Sequence, residues 1–219
     1  MHCAILVGAK SWLGEHLAPL HQALVDRGHD VVCVQRHEDI PVGLDVVFML
    51  SYPRIVPAEF LARTPHNLVV HQSDLPHGRG WSPLAWQILE GKREIPIVLF
   101  AASVEVDRGP IYARRVMKTS GRELLPELRD MQIAETFALC LDFVDGYPGI
   151  LAQGQLPNGA GSWYDRRGPA DSRLDPDKTI AEQFDLLRTV DNDAYPAFFT
   201  LRGRTYRLRI DPADSEPTP

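Results

Sequence analysis

The sequence contains few cysteines, no long hydrophobic run and no excess of positive charge, and each shortage excludes a class of protein. Three cysteines among 219 residues are too few and too scattered for a disulfide framework or a zinc site. Apolar runs such as 4–8 and 45–50 are far shorter than the roughly 20 residues of a transmembrane helix. The 23 lysines and arginines against 29 acidic residues give a net charge of −6, which argues against nucleic acid as the main partner.

Further absences narrow the architecture and the location. No period of 20–50 residues recurs, which excludes solenoids and propellers. No basic segment precedes the apolar run 3–8, so we expect no secretory signal and a cytoplasmic location. The histidines show no metal-ligand spacing, so no metal is expected. A chain with 44% apolar and 24% charged residues is typical of a globular domain with a sizeable core.

Short apolar runs alternate with helical patterns through the predicted core, residues 1–150. We predict strands at 3–8, 31–35, 45–50, 66–71, 95–101 and 109–117, and helices at 13–28 and 123–144. Continuous apolar strands separated by helices indicate an α/β fold. The expected architecture is a Rossmann-like, open, mostly parallel sheet with helices on both faces.

Residues 151–211 are predicted to form a C-terminal appendage. We expect a loop up to 173 with a short strand or two, a helix over 179–190, and a hairpin whose strands are 197–201 and 205–210. The tail, 212–219, is expected to be frayed.

The turn after the first predicted strand, Gly8-Ala9-Lys10-Ser11-Trp12-Leu13-Gly14, does not indicate a dinucleotide or ATP site. It lacks the G-x-G-x-x-G spacing, and the second strand ends at Gln35-Arg36, where an acidic ribose ligand would be needed. The first glycine of a P-loop would fall at Ala4. We therefore interpret this segment as an ordinary turn from strand to helix.

The most informative segment is 67–83, NLVVHQSDLPHGRGWSP. It places His71 at the end of a buried strand and follows it with a polar turn rich in proline and glycine. In open α/β sheets, ligands bind beyond the carboxyl ends of the strands, and a histidine there is suited to acid–base or electrostatic chemistry.

Four fragments of the sequence carry a resemblance to one family. The pattern His71-x-Ser73-x-Leu75-Pro76-x-x-Arg79-Gly80-x-x-Pro83 resembles the signature H-x-S-L-L-P-x-x-R-G-x-x-P of the formyltransferases that use 10-formyltetrahydrofolate. The segment 51–57, SYPRIVP, resembles the family's A-Y-G-x-I-L-P turn, and 106–111, VDRGPI, resembles its V-D-x-G-x-I loop. Residues 164–198 resemble the Y-x-R-R-x-P…R-A…P-x-P-G-A-F stretch that follows the core.

The resemblance implies a set of functional residues. The catalytic pair would be His71, which donates a hydrogen bond to the oxyanion of a tetrahedral intermediate, and Asp107, which lies at the same sheet edge, orients the histidine and accepts the amine proton. The folate co-substrate would contact Tyr52, Arg54, Ile55, Val56, Val104 and Val106. The acceptor would contact Ser73, Arg79, Gly80, Trp81 and Tyr164.

One position departs from the family pattern. The family has asparagine two residues before the catalytic histidine, where this chain has Val69. Asn67 lies on the same strand face but roughly 7 Å further back, so we expect it to have a structural role. A backbone N–H or another side chain would then replace the missing donor, or the site is weaker.

The resemblance implies the formyl donor but leaves the acceptor open. The short chains that carry the C-terminal motif resemble bacterial N-formyltransferases of nucleotide-linked amino-dideoxy sugars, and these are usually homodimers. The leading hypothesis is therefore a small-molecule acceptor of that class, with no nucleic acid or membrane partner. The alternatives are another amine, including an amino acid or glycinamide ribonucleotide, and a folate- or nucleotide-binding homologue without turnover.

Overall fold

The computed structural model describes residues 1–213, so the end of the predicted tail, 214–219, lies outside the described residues. The strands are β1 (His2–Leu6), β2 (Asp30–Val34), β3 (Val46–Met49), β4 (His66–His71), β5 (Arg79–Gly80), β6 (Glu94–Ala101), β7 (Ile111–Lys118), β8 (Trp163–Tyr164), β9 (Ala197–Leu201) and β10 (Arg204–Leu208). The α-helices are α1 (Ala18–Asp26), α2 (Ala58–Leu61), α3 (Pro83–Leu89), α4 (Leu125–Gly146) and α5 (Phe184–Leu187).

Six strands form one sheet in the order β2-β1-β3-β4-β6-β7. The strands β2, β1, β3 and β4 are parallel, whereas β6 is antiparallel to both of its neighbours, β4 and β7. Five of the six strands therefore run in one direction, and the predicted open, mostly parallel α/β sheet is confirmed.

Alternate residues of the central strands are buried on opposite faces of this sheet. Cys3 and Ile5 of β1 belong to the main core, which α1 and α4 cover, and Ala4 and Leu6 belong to a second cluster on the other face. All four side chains are fully buried. A strand that is buried on both faces reads as a continuous apolar run, which is why β1 is visible in the sequence.

Two predicted helices differ from the structure. The predicted helix 13–28 is a 3₁₀ turn, Trp12–His16, followed by α1, because Pro19 begins a new helix instead of continuing the turn before it. The predicted helix 179–190 is shorter and interrupted in the structure. It contains only a 3₁₀ turn at Ala181–Gln183 and the single turn of α5, because the backbone of Gln183 leaves the helical region at φ −113° and its side-chain amide bonds preceding carbonyls.

The C-terminal residues are joined to the core by strand β8, which pairs in parallel with β5. A separate apolar cluster, which includes Leu174, Leu187 and Val190, packs with residues of the hairpin β9–β10 inside the C-terminal part. The predicted hairpin is confirmed. Within residues 1–213, no helix is long and apolar enough to cross a bilayer.

Candidate active site

A cavity of about 510 Å³ opens beside the carboxyl ends of β3 and β4. One wall comes from the turn after β3, the opposite wall comes from the segment leading into α3 and from α4, and the loop 102–107 closes a third side. Its volume lies within the usual range for small-molecule sites. The sequence-predicted residues on its walls are His71, Asp107, Tyr52, Arg54, Ile55, Val56, Val106, Gly80 and Trp81.

His71 is the last residue of β4, and its ring is buried on the wall of this cavity. Its Nε2 lies 2.8 Å from the carbonyl oxygen of Gly78 and 3.9 Å from Oδ2 of Asp107. Because a carbonyl only accepts hydrogen bonds, Nε2 carries the hydrogen and donates it to Gly78. Phe100 of β6 packs against the ring edge-on, at 6.5 Å between centroids.

Asp107 reaches His71 by a different path from the one expected. It was predicted at the same sheet edge, but β6 is antiparallel to β4, so Ala101 at its end pairs with Leu68, three residues before His71. The loop after β6 folds back over the sheet face and carries Asp107 to the histidine. Asp107 has a left-handed backbone, φ +54°, and its Oδ2 accepts the Gly80 N–H at 2.9 Å. The pair is therefore assembled by a loop excursion and not by the strand ends.

The predicted folate residues form one side of the cavity, with one exception. Tyr52 is fixed by its hydroxyl, which lies 2.9 Å from Nδ1 of the buried His37. Arg54 donates two hydrogen bonds to Glu38, and this guanidinium lowers the pKa of Glu38 to about 2. Val104 is 77% exposed and does not line the cavity.

Three of the predicted acceptor residues do not line the cavity. Ser73 is buried, and its Oγ has no hydrogen-bond partner among the described residues. Arg79 stacks over Trp163, with 6.0 Å between its Cζ and the ring centroid. The hydroxyl of Tyr164 donates to Glu90 at 2.7 Å, and its ring stacks on Trp86.

The cavity wall also contains residues that sequence reasoning missed. Arg129 of α4 stacks under Trp12 at 5.1 Å and pairs with Asp191 at 2.9 Å. Gln132, one turn further along α4, lies beside Gln72 on the same wall. A polar pair three residues apart on a mostly apolar helix was the signal available for Arg129 and Gln132. No comparable signal marked Trp12.

Asn67 and Val69 lie on the same strand face as His71. The Asn67 amide donates to the carbonyl oxygens of Leu61 and Thr64, at 2.8 and 2.9 Å, so its structural role is confirmed. Val69 lines the cavity and packs against apolar clusters on the same face. The cavity wall next to His71 is therefore apolar where the family pattern has an amide.

Comparisons with known proteins identify relatives of this chain. Residues 37–130 match the family model of the formyl transferases. The chain is 30% identical over 175 residues to a methionyl-tRNA formyltransferase of Anaeromyxobacter dehalogenans. The aligned region covers 75% of this chain and 53% of that protein. The chain thus spans about half the length of the curated relatives it matches.

Solved structures of low sequence identity share the fold. A sugar N-formyltransferase from a Shewanella species superposes with a TM-score of 0.65 at 18% identity, over 99% of both chains. HypX from Aquifex aeolicus in complex with tetrahydrofolic acid gives a TM-score of 0.73 at 18% identity, over 95% of this chain and 37% of that one. The resemblance drawn from the sequence motifs is confirmed by the match of residues 37–130 to the formyl transferase family model.

Proposed function

We propose that the protein transfers the formyl group of 10-formyltetrahydrofolate to the amino group of a nucleotide-linked amino-dideoxy sugar. The observation that carries this proposal is the pair formed by His71 and Asp107, 3.9 Å apart on the wall of one cavity. The wall of the same cavity combines most of the predicted folate residues with aromatic and amide side chains.

The pair supplies what formyl transfer to an amine requires. The amine nitrogen attacks the formyl carbon, a tetrahedral intermediate forms, and the bond from that carbon to the folate nitrogen then breaks. The proton lost by the amine ends on the departing nitrogen, so no other reactant is consumed. His71 donates a hydrogen bond to the developing oxyanion, and Asp107 accepts the amine proton and passes it on.

The folate side of the cavity fits a flat, mostly apolar group. Val56 and Val106 contribute apolar surface, Tyr52 is held in place by His37, and Ile55 stands at the mouth with 70% of its surface exposed. The co-substrate supplies the formyl group, and these residues would hold its ring system beside His71. Concave, largely apolar sites with a few polar groups bind such molecules.

The acceptor side fits a nucleotide better than a simple amine. Trp81 and Trp163 line the cavity, and the guanidinium groups of Arg166 and Arg79 stack over them at 5.0 and 6.0 Å. The buried Nε of Arg79 has no hydrogen-bond partner among the described residues. Aromatic faces bind a base, and a guanidinium binds phosphate, here from behind the tryptophans, since neither arginine lines the cavity itself. From the resemblance we also expect a homodimer in the cytoplasm.

The test follows tetrahydrofolate formation by absorbance with a panel of nucleotide-linked amino sugars. We expect turnover with one sugar and a loss of about 10²–10³ in rate for His71→Ala and for Asp107→Asn. His77→Ala removes an exposed histidine of the same segment and serves as the matched control. Turnover only with another amine or with methionyl-tRNA would overturn the sugar assignment, and formate release without any amine would replace transfer by hydrolysis.

A further inference from the structure

Both members of the catalytic pair are held by one short piece of backbone, residues 78–80. His71 donates from Nε2 to the carbonyl of Gly78 at 2.8 Å, and Asp107 accepts the N–H of Gly80 at 2.9 Å. A shift of this piece therefore changes the placement of the imidazole and of the carboxylate together.

The backbone of 78–81 is fixed in turn by the C-terminal segment that contains β8. The N–H of Gly78 donates to Oγ of Ser162 at 2.8 Å, and the N–H of Arg79 donates to the Ser162 carbonyl at 3.0 Å. The N–H of Trp81 donates to the carbonyl of Tyr164 at 3.0 Å. Three successive contacts therefore tie the segment that carries Gly78 and Gly80 to residues outside the matched range 37–130.

The two glycines show how closely β8 approaches this segment. A Cβ at Gly78 would lie 2.7 Å from the Tyr164 ring, and one at Gly80 would lie 2.5 Å from the Tyr164 carbonyl oxygen. Both glycines have positive φ, +66° and +97°. Only glycine permits this approach in this backbone conformation.

Strand β8 has its own attachment to the core. The Tyr164 hydroxyl donates to Glu90 at 2.7 Å, and its ring stacks on Trp86 of α3 with 13° between the planes. Trp86 donates from Nε1 to the carbonyl of Asp165 at 2.8 Å. Since α3 starts at Pro83, just after the segment that β8 holds, α3 and β8 enclose that segment from two sides.

We propose that Ser162 and Tyr164 are positioning residues for the reaction, acting through Gly78 and Gly80 on His71 and Asp107. This inference rests on the proposed function, because it assigns the two residues a role in formyl transfer. Neither side chain lines the cavity, so neither is assigned a contact with substrate. Tyr164, expected at the acceptor from the sequence, thus acts from outside the cavity.

The test compares Ser162→Ala with Ser162→Thr, which keeps the hydroxyl, and with Ser172→Ala. Ser172 belongs to the same C-terminal part and donates to the carbonyl of Tyr195 at 3.0 Å. Ser172→Ala therefore also removes one serine hydrogen bond, but at a place away from His71 and Asp107. We expect kcat to fall roughly 10-fold in Ser162→Ala, with KM for both substrates within about twofold, because small misplacements of reacting groups reduce the rate and not the binding. Ser162→Thr should recover most of the rate.

Hydrogen exchange at the amides of Gly78 and Gly80 gives a readout that needs no turnover. We expect faster exchange at Gly78 in Ser162→Ala and unchanged exchange in Ser172→Ala. A wild-type kcat in Ser162→Ala, or an equal loss in both alanine variants, would overturn the positioning role. If the wild-type protein shows no formyl transfer, the proposed function fails, and unchanged exchange in Ser162→Ala would separately show that β8 does not hold the segment.

Discussion

Val69 faces the cavity two residues before His71 and offers no hydrogen-bond donor to a developing oxyanion. Removing one such donor from an enzyme typically costs about 10²–10³ in rate. We therefore expect Val69→Asn to raise kcat by roughly 10-fold or more. The same change places an amide among apolar side chains and should lower stability by about 1–3 kcal/mol.

Val69→Ala is the matched control for this prediction, because it removes the same packing without adding an amide. Steady-state rates and the unfolding midpoint should be measured on both variants. A folded Val69→Asn protein whose kcat equals that of the wild type would mean that another group already supplies the donor.

At the level of single residues, the sequence predicted the closeness of His71 and Asp107 better than it predicted their surroundings. The pattern around His71 and the loop around Asp107 are local motifs, so each is visible in a short stretch of sequence. Tyr164 also belongs to a motif, but its backbone carbonyl contacts Trp81 while its hydroxyl turns to Glu90. A motif fixes which residue is present and does not fix which of its atoms faces the cavity.

The same limit applies to elements. Strand β6 was predicted from its apolar run. Its direction in the sheet could not be predicted in the same way, because it depends on the pairing with β4, which is distant in sequence. The expected helix over 179–190 has suitable residues, yet the Gln183 side chain satisfies carbonyls at 175, 178 and 179 and ends the turn early. Hydrogen bonds from side chain to backbone compete with helix formation, and sequence periodicity does not reveal them.

Arg188 follows α5 and contacts residues of two different elements. We expect these contacts to dominate the stability of the C-terminal part. Its side chain is fully buried, and it donates to Asp185 at 2.7 Å and to Glu123 at 3.4 Å. Arg188→Met leaves two carboxylates without their buried cation, which should lower the free energy of unfolding by about 3–5 kcal/mol.

Arg93→Met is the control for this prediction because Arg93 pairs with the same Asp185 from a half-exposed position, at 3.1 Å. Exposed ion pairs contribute about 0–1 kcal/mol. Urea unfolding of both variants should show a much larger loss for Arg188→Met. Equal losses would show that burial of the guanidinium adds nothing to this contact.

For the whole molecule, the cavity draws residues from Trp12 to Thr189, so its wall combines segments that lie far apart in the chain. The predicted folate residues lie within the matched range 37–130, and their clustering was largely predictable from local motifs. The rest of the wall includes Trp12, Arg129 and Trp163, which only the tertiary fold brings together. The acceptor was for this reason the part of the function that the sequence left open.

The junction between the core and the C-terminal part also makes the stability of the fold depend on pH. Glu123 precedes α4 and accepts backbone N–H bonds from Ser120 and Gly121 at 2.7 and 3.0 Å, besides its contact with Arg188. Burial opposes ionisation of this carboxyl, but the hydrogen bonds outweigh it and lower the pKa of Glu123 to about 2. Because the pKa of this carboxyl is lower in the folded than in the unfolded state, its ionised form stabilises the fold at pH values above the unfolded pKa. This stabilisation is lost as the pH falls toward the folded pKa.

We therefore expect the stabilisation from Glu123 to be complete near pH 6 and to fall by about half or more by pH 3, since the unfolded carboxyl titrates near 4.3. The measurement is the difference in thermal midpoint between the wild type and Glu123→Gln at each pH. Glu59→Gln, an exposed position on α2, should show no such trend. A difference for Glu123→Gln that stays constant from pH 6 to pH 3 would mean that the ionised carboxylate does not join the C-terminal part to the core.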